Sequence, residues 1–388
     1  MTAESIYITS EHEALRAQVA RFLAREVEPV AETWEEQGHV PREVLRRMGG
    51  LGFLGITAPP EYGGAGADPV TNVVFAEALS QSTFGGFIVT VLVHTDMAGP
   101  HLVRAGSRAQ LDRYLRRIVA GELITAIAVT EPDAGSDVAA MRTRARRDGD
   151  HWVLNGTKMF ITNGVHGDLF FVAARTQSEA ASSSRSARGI SMFIVERGTP
   201  GFRVGRALRK QGWLSSDTAE LVFEDCRIPA ENLLGEEHGG FYAIMRNFQN
   251  ERVVLGAMAV GHATQAIRLA LEHVTSRKAF GGTLFDKQAI RHRLAMLEAK
   301  IAAARQLLYH CGWLMREGRD CVREVSMLKA FAGELANEVT YTCQQFHGGM
   351  GYMRETAIER LARDARVLSI GGGATEVMLE EIAKRPGT

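Results

Sequence analysis

A glutamate and an arginine stand side by side at 251 and 252, at the one turn where an apolar stripe is interrupted. The stripe runs Phe241, Ile244, Met245, Phe248, then Leu255, Met258 and Ala259, the spacing of one face of a helix that opens near Gly240. Neighbours on a helix diverge by about a hundred degrees, so Glu251 and Arg252 cannot satisfy each other. Each needs a partner from another element, or a ligand. A structural ion pair fits this pattern as well as a functional charge does.

Two further stretches end in groups that could hold a ligand. Leu123-Ile-Thr-Ala-Ile-Ala-Val-Thr-Glu-Pro-Asp-Ala-Gly-Ser-Asp137 passes from an apolar, partly β-branched segment into a turn rich in hydroxyls, Gly and Pro. Such a turn presents backbone N–H groups and the hydroxyls of Thr130 and Ser136 at a sheet's rim, which suits a phosphate or a polar heterocycle. Taken alone it is equally a strand running into a helix N-cap. Leu154-Asn-Gly-Thr-Lys-Met-Phe-Ile-Thr-Asn-Gly164 ends another strand in the same manner. Near the C-terminus, Gly348-Gly349 would let backbone approach a phosphate closely, or would simply break a helix. Twelve histidines include no HExxH and no spaced Cys/His cluster, so no metal ligand is assigned. Gly-rich phosphate motifs of the nucleotide-hydrolase or Rossmann kind are missing too.

Thr-Glu-Pro-x-Ala-Gly-Ser-Asp at 130 to 137, followed by Asn-Gly-x-Lys-x-aromatic-Ile-Thr-Asn-Gly at 155 to 164, closely resembles the acyl-CoA dehydrogenases. Tyr62-Gly-Gly-Ala-Gly66, Arg277-Lys-Ala-Phe-Gly281 and Gln345-Phe-His-Gly-Gly-Met-Gly-Tyr352 extend the resemblance over nearly the whole chain. It implies FAD and a carboxylate that removes the α proton of an acyl thioester while the β hydrogen leaves as hydride to the flavin N5. In most of the family that carboxylate lies in an Ile-Tyr-Glu-Gly-Thr-like segment near the C-terminus. Here the matching segment is Ser369-Ile-Gly-Gly-Gly-Ala-Thr-Glu376, and Gly372 occupies the position of the base. The isovaleryl-CoA and long-chain branch carries the glutamate on the C-terminal helix immediately before an arginine, so Glu251 is the implied base.

The same resemblance implies the surrounding roles. The Gly372 N–H, with a flavin ribityl hydroxyl, would bind the thioester carbonyl oxygen, and Phe248, Arg252, Gly373 and Ser136 would line the substrate path. Val129 and Thr130 match the segment at the flavin pyrimidine edge. Phe160, Ile161 and Thr162 match the segment flanking the ring, with Thr162 near N5. Ser136 also matches a position near the flavin phosphate, and Thr375 and Glu376 complete the cofactor contacts. Arg277, Phe280, Gln288, Gln345, Gly348 and Gly349 match residues that meet the pyrophosphate and adenosine of a neighbouring subunit's FAD, which implies a homodimer or homotetramer. Electron-transferring flavoprotein is the implied acceptor. Ala374, where most relatives have Thr, and Leu214-Ser-Ser-Asp-Thr218 depart from the commonest pattern and bear on the substrate. Alternatives on the same fold are an acyl-carrier-protein thioester dehydrogenase and a flavin monooxygenase or oxidase; a non-enzymatic binding scaffold is a third.

The positioning elements read as α, then β, then α. Ser10 and Glu13 predict a capping box opening an amphipathic helix through Leu15, Val19, Phe22, Leu23 and Val27. Helical patterns resume from about Pro69 to about Gly121, giving an N-terminal α-helical domain over 1–123. Short β-type runs at 152–154, 169–174, 190–195 and 219–223 predict a β-barrel or sandwich over 124–237, with the serine-rich 178–186 a solvated loop between strands. Long helical periodicities from about Gly239 predict a four-helix bundle over 238–388. The resemblance implies the same α+β multidomain architecture.

Composition excludes several partners. With 45 basic and 45 acidic residues among 388, the chain has no global field to attract nucleic acid or an anionic membrane. Four cysteines without metal or disulfide-framework spacing predict free thiols in a reducing compartment. The N-terminus shows no signal or transit pattern, and no apolar run is expected to span a membrane. The expectation is a cytoplasmic protein.

Overall fold

The structure, a computed structural model, describes residues 6–176 and 189–386; the loop predicted at 178–186 lies outside them. α1 (Ser10–Phe22) is capped by Thr9, whose hydroxyl accepts from the His12 N–H while the His12 ring accepts from the Thr9 N–H. The capping box is therefore Thr9 with His12, not Ser10 with Glu13, because Thr9 holds the extended backbone of a cap whereas Ser10 is already helical. Six more helices complete the N-terminal region: α2 (Ala31–Gln37), α3 (Arg42–Gly50), α4 (Pro69–Leu79), α5 (Gly85–Leu92), α6 (Gly99–Ala105) and α7 (Arg108–Val119). A π-helical turn, Val93–Ala98, joins α5 to α6.

Among the described residues eight strands follow: β1 (Thr125–Ala128), β2 (Arg144–Asp148), β3 (His151–Thr162), β4 (Leu169–Arg175), β5 (Ile190–Glu196), β6 (Phe202–Ala207), β7 (Thr218–Pro229) and β8 (Leu233–Leu234). They form one sheet in the order β6-β7-β3-β2-β4-β5-β8, with β1 parallel to β4. Side chains from strands far apart in that order meet: Phe170 of β4 lies 4.8 Å from Phe202 of β6, and Trp152 of β3 lies 5.2 Å from Phe193 of β5. The sheet thus folds over its own core. β4 is buried on both faces, sending Phe170, Val172 and Ala174 into that core. Leu169, Phe171 and Ala173 pack instead with Leu102, Leu115 and Ile244 of the helices.

The C-terminal region is built on three long helices, α8 (Gly240–Ser276), α9 (Gln288–Arg316) and α10 (Val322–Phe346), with short α11 (Ala357–Ala365) and α12 (Thr375–Ala383) packed on α10. A two-stranded ribbon, β9 (Lys278–Ala279) and β10 (Gly282–Thr283), turns α8 into α9. α4 packs on both α8 and α9, so one apolar core joins the two helical regions. Contrary to expectation, two helical runs are long and apolar enough to cross a membrane, Gly85–Ala105 and Gly240–Ser276, with mean hydropathies of 1.2 and 1.3. The buried shares of their most apolar stretches are 89% and 83%, as core helices covered on most sides by protein. All four cysteines are free and buried.

Candidate active site

Glu251 and Arg252 both lie inside, 7% and 8% exposed, where α8 passes beneath α6 and the π-helical turn. One turn earlier on α8, Asn247 donates from Nδ2 to Glu251 Oε1 at 3.0 Å, and also to the backbone carbonyls of Met97 at 2.9 Å and Asp96 at 3.2 Å. Arg104 of α6 donates to Asn247 Oδ1 at 2.8 Å. Burial pushes the Glu251 carboxyl up to about 8 from an ordinary 4.5, against the opposing pull of Asn247, Arg252 and Arg104. A carboxyl so poised exchanges a proton near neutrality, as a general base must. Asp96 is a second buried carboxyl, raised by burial although Asn72, Thr95 and Asn250 donate to it.

The glycine turn before α12 closes over the same face of α8. Gly372 has φ +63°, and a β carbon there would stand 2.1 Å from Leu255 Cδ1, one turn beyond Glu251. A side chain at 372 is thus excluded by backbone and by neighbour alike. A β carbon on Gly373 would come within 3.5 Å of Arg252 Nε, an atom that is buried without a hydrogen bond. The Arg252 guanidinium sits 5.8 Å from the Phe248 ring centre. Lys329 of α10, buried, donates to Leu368 O at 2.6 Å and Gly373 O at 3.1 Å and so ties both flanks of the turn to the bundle. Thr375 bonds Glu334 at 2.7 Å, and Glu376 is exposed.

Across from α8 lies the rim of the sheet. Val129 shares an apolar cluster with Ile244, Phe241, Met245 and Phe248, which brings the 129–136 loop against the first turns of α8. Lys158 of β3, fully buried, donates to Val129 O at 3.0 Å and to Glu131 Oε1 at 2.8 Å, while the Met159 N–H donates to Thr130 O at 2.9 Å. Burial pulls Lys158 down to about 8. Burial also pushes Glu131 upward, yet Lys158 and the N–H groups of Thr143 and Arg142 outweigh it and hold Glu131 below its usual range. Between Lys158 and Ile161 the pairing with β7 gains one extra residue, and at this bulge Phe160 adopts φ +60° with its ring 67% exposed. A non-glycine residue held in this conformation costs about 1–3 kcal/mol, and here it accompanies an aromatic side chain left in solvent. Ile161 is buried in the sheet core and Thr162 half-buried.

These residues fit a flavin. The 129–136 loop and the end of β3 carry an exposed aromatic residue, Phe160, and the hydroxyls of Thr130, Thr162 and exposed Ser136, none of which makes a hydrogen bond among the described residues. FAD would lie along this rim, with Val129, Thr130, Phe160, Ile161 and Thr162 at its ring. Arg277, Phe280, Gln288, Gln345, Gly348 and Gly349 gather elsewhere. All six are exposed at the far end of the bundle, roughly 40 Å along α8 from Glu251 at about 1.5 Å per residue. There His273 and His347 stack at 4.4 Å and hold the β9–β10 ribbon beside the glycine turn after α10. Arg277 has no ion pair among the described residues, and Phe280 is 92% exposed. No single chain brings this group to the flavin ring site.

Several functional residues were not foreseen. Asn247 was within reach, since an amide four residues before a buried glutamate on a helix is placed to bond it. Lys158 and Glu131 lie inside the quoted motifs, but their pairing spans two strands. Arg104, Asp96 and Lys329 carry no local signal. Beside the Glu251 network a cavity of about 190 Å³ runs between Phe53, Phe75, Val103 and Leu115, with Arg104 and Asn250 in its wall; Glu251 does not itself line it.

Comparison with known proteins agrees with this geometry. Models of the acyl-CoA dehydrogenase N-terminal, middle and C-terminal domains match residues 9–122, 126–226 and 238–386. The long-chain specific acyl-CoA dehydrogenase of Rattus norvegicus is 42% identical over 379 residues, spanning 97% of this chain and 86% of that protein. The crystal structure of an acyl-CoA dehydrogenase from Geobacillus kaustophilus is similar with TM-score 0.94 at 41% identity, covering 98% of this chain and 99% of that one. A prolyl acyl carrier protein oxidase is similar with TM-score 0.92 at 27% identity, covering 98% and 100%. With three domain models matched in order along one chain, and a relative 42% identical over 97% of it, the chain belongs to the acyl-CoA dehydrogenase family of FAD-dependent oxidoreductases acting on acyl-CoA.

Proposed function

We propose that this protein oxidises a saturated acyl-CoA thioester to the trans-2-enoyl thioester with Glu251 as the base. The supporting observation is the state of Glu251: buried, its carboxyl raised to about 8, and one turn of α8 before Leu255, the residue that packs against Gly372. The carboxylate takes the α proton; that C–H bond breaks and its electron pair moves toward the thioester carbonyl. The Gly372 N–H meets the charge gathering on the carbonyl oxygen, a contribution that is often the largest in such reactions. Arg252 and Phe248 shape the pocket floor. FAD, when bound, supplies the acceptor for the β hydrogen and its electron pair, and electron-transferring flavoprotein then removes the electrons.

The cavity between Phe53, Phe75, Val103 and Leu115, with Arg104 and Asn250 in its wall, holds the distal acyl tail, with room for about six groups the size of a water molecule. A second copy of the chain supplies Arg277, Gln345 and their neighbours to the cofactor, so the working protein is a homodimer or a tetramer. Anaerobic titration with saturated acyl-CoA thioesters of graded length and branching tests the reading. Bleaching of the flavin by esters with apolar tails is expected. If FAD is bound and no CoA ester bleaches it, the reading fails; bleaching by carrier-protein thioesters alone would reassign the substrate.

A further inference from the structure

Asn247 is a buried amide, 1% exposed, whose orientation is dictated by its neighbours. A guanidinium can only donate, so the amide atom facing Arg104 Nη1 must be the oxygen. Backbone carbonyls can only accept, so the atom facing Met97 O and Asp96 O must be the nitrogen. Turning the amide over would break every one of these contacts. Its two N–H bonds are thus shared among three acceptors, Glu251 Oε1 at 3.0 Å among them.

That contact divides the two oxygens of the carboxylate. Among the described residues Oε1 has Asn247 as its donor, and Oε2 has none. The charged groups around the carboxyl are Arg252 on its own helix, Arg104 from α6 with Arg246 beside it, and Asp96 from the π-helical turn. None of the three arginines makes a salt bridge to Glu251 among the described residues; its one direct donor is the neutral amide. A direct cation would hold the carboxylate permanently ionised and weaken it as a base, whereas a single amide hydrogen bond moderates the effect of burial.

We propose that Asn247, oriented by Arg104, is the positioning residue of the base: it ties down Oε1, leaves Oε2 to take the α proton, and its N–H sets how readily the carboxylate holds that proton. This rests on the reading of Glu251 as base. In the reaction the Cα–H bond breaks and an Oε2–H bond forms, while the electron pair stays with the substrate.

The test is the pH dependence of flavin reduction by a saturated acyl-CoA in the FAD-loaded enzyme. Asn247→Leu keeps the volume and removes the donor. The carboxylate loses a hydrogen bond that favours its ionised form, so the rising limb is expected to move about one to two pH units upward. The rate should then recover to within about tenfold of wild type above the shifted limb. Arg104→Met and Arg104→Gln both remove a cation that itself favours the ionised carboxylate, but only Gln keeps an N–H for Asn247 Oδ1, so the limb is expected to lie higher in Arg104→Met than in Arg104→Gln. A role in folding alone would lower the rate at every pH and leave the limb in place. An unmoved limb in Asn247→Leu overturns the proposal, and if Asn247→Leu does not fold, coincident limbs in Arg104→Met and Arg104→Gln overturn it. Glu251→Gln separates the two levels. If it reduces flavin at the wild-type rate, the base assignment fails and this inference with it; if it is inactive while the limb stays unmoved, only the role of Asn247 fails.

Discussion

At Glu251, burial favours the protonated carboxyl, with a pKa of about 8 against 4.5 for an ordinary glutamate. The base must be ionised to work, so the reduction rate is expected to rise with pH through that region and level off above it. Stability moves in the opposite direction. The folded protein binds this proton more tightly than the unfolded chain does, so the contribution is fully present below 4.5 and is lost as pH rises through about 8. Glu251→Gln, neutral at every pH, should therefore gain on the wild type in thermal unfolding as pH is raised from about 5 to about 9; a constant difference would contradict the buried, protonated state. Gly372 makes a separate prediction. Gly372→Ala puts a methyl against Leu255 at a left-handed φ, a backbone conformation that costs about 1 kcal/mol or more in any other residue. Its N–H must shift, and flavin reduction should slow by about tenfold or more while FAD stays bound. Unchanged turnover would mean that this N–H meets no developing charge.

At the scale of elements, β3 carries the site's sharpest compromise. Lys158 is wholly buried to pin the 129–131 backbone, and among the described residues its only charge partner is Glu131. Removing one member of such a pair strands the other, so Lys158→Met is expected to destabilise by about 3–5 kcal/mol in denaturant unfolding. The double variant Lys158→Met/Glu131→Leu should recover most of that stability. A single variant near wild-type stability would show that the pair is not isolated from water. Helices and inner strands were legible in the sequence, because α8 carries its stripe through 37 residues and β4 is apolar throughout. β2, Arg-Ala-Arg-Arg-Asp, was not: only Ala145 is buried, and it becomes a strand because β3 extends beside it. β6 is similar, a half-exposed edge with no clear alternation. The bulge at Phe160 was hidden too, since an extra residue in a strand shows only against its partner.

For the molecule as a whole, local pattern stops where long-range contact begins. Glu251 and Gly372 could be named from residues and resemblance, but the network that tunes Glu251 joins Asn247 to Asp96 and Arg104 across separations of 151 and 143 residues. No periodicity records such a meeting. Arg277, Phe280 and Gln345, exposed at the far end of the bundle, are the part of the proposed cofactor site that a second copy would supply. Arg277→Glu is expected to keep its helical content by circular dichroism yet to lose most of its FAD on gel filtration, and the wild type should elute at two or four times 42.4 kDa. A wild-type monomer that retains FAD would contradict the shared cofactor site.

The claim on which the rest depends is that Glu251 takes the α proton. Its most direct test is anaerobic flavin reduction in Glu251→Gln, which keeps the size and the Asn247 contact and loses the base. The account predicts an FAD-loaded protein that binds the thioester but reduces flavin about 10²- to 10⁴-fold more slowly. Reduction at the wild-type rate would contradict it and return Glu251 to the role of a buried structural charge.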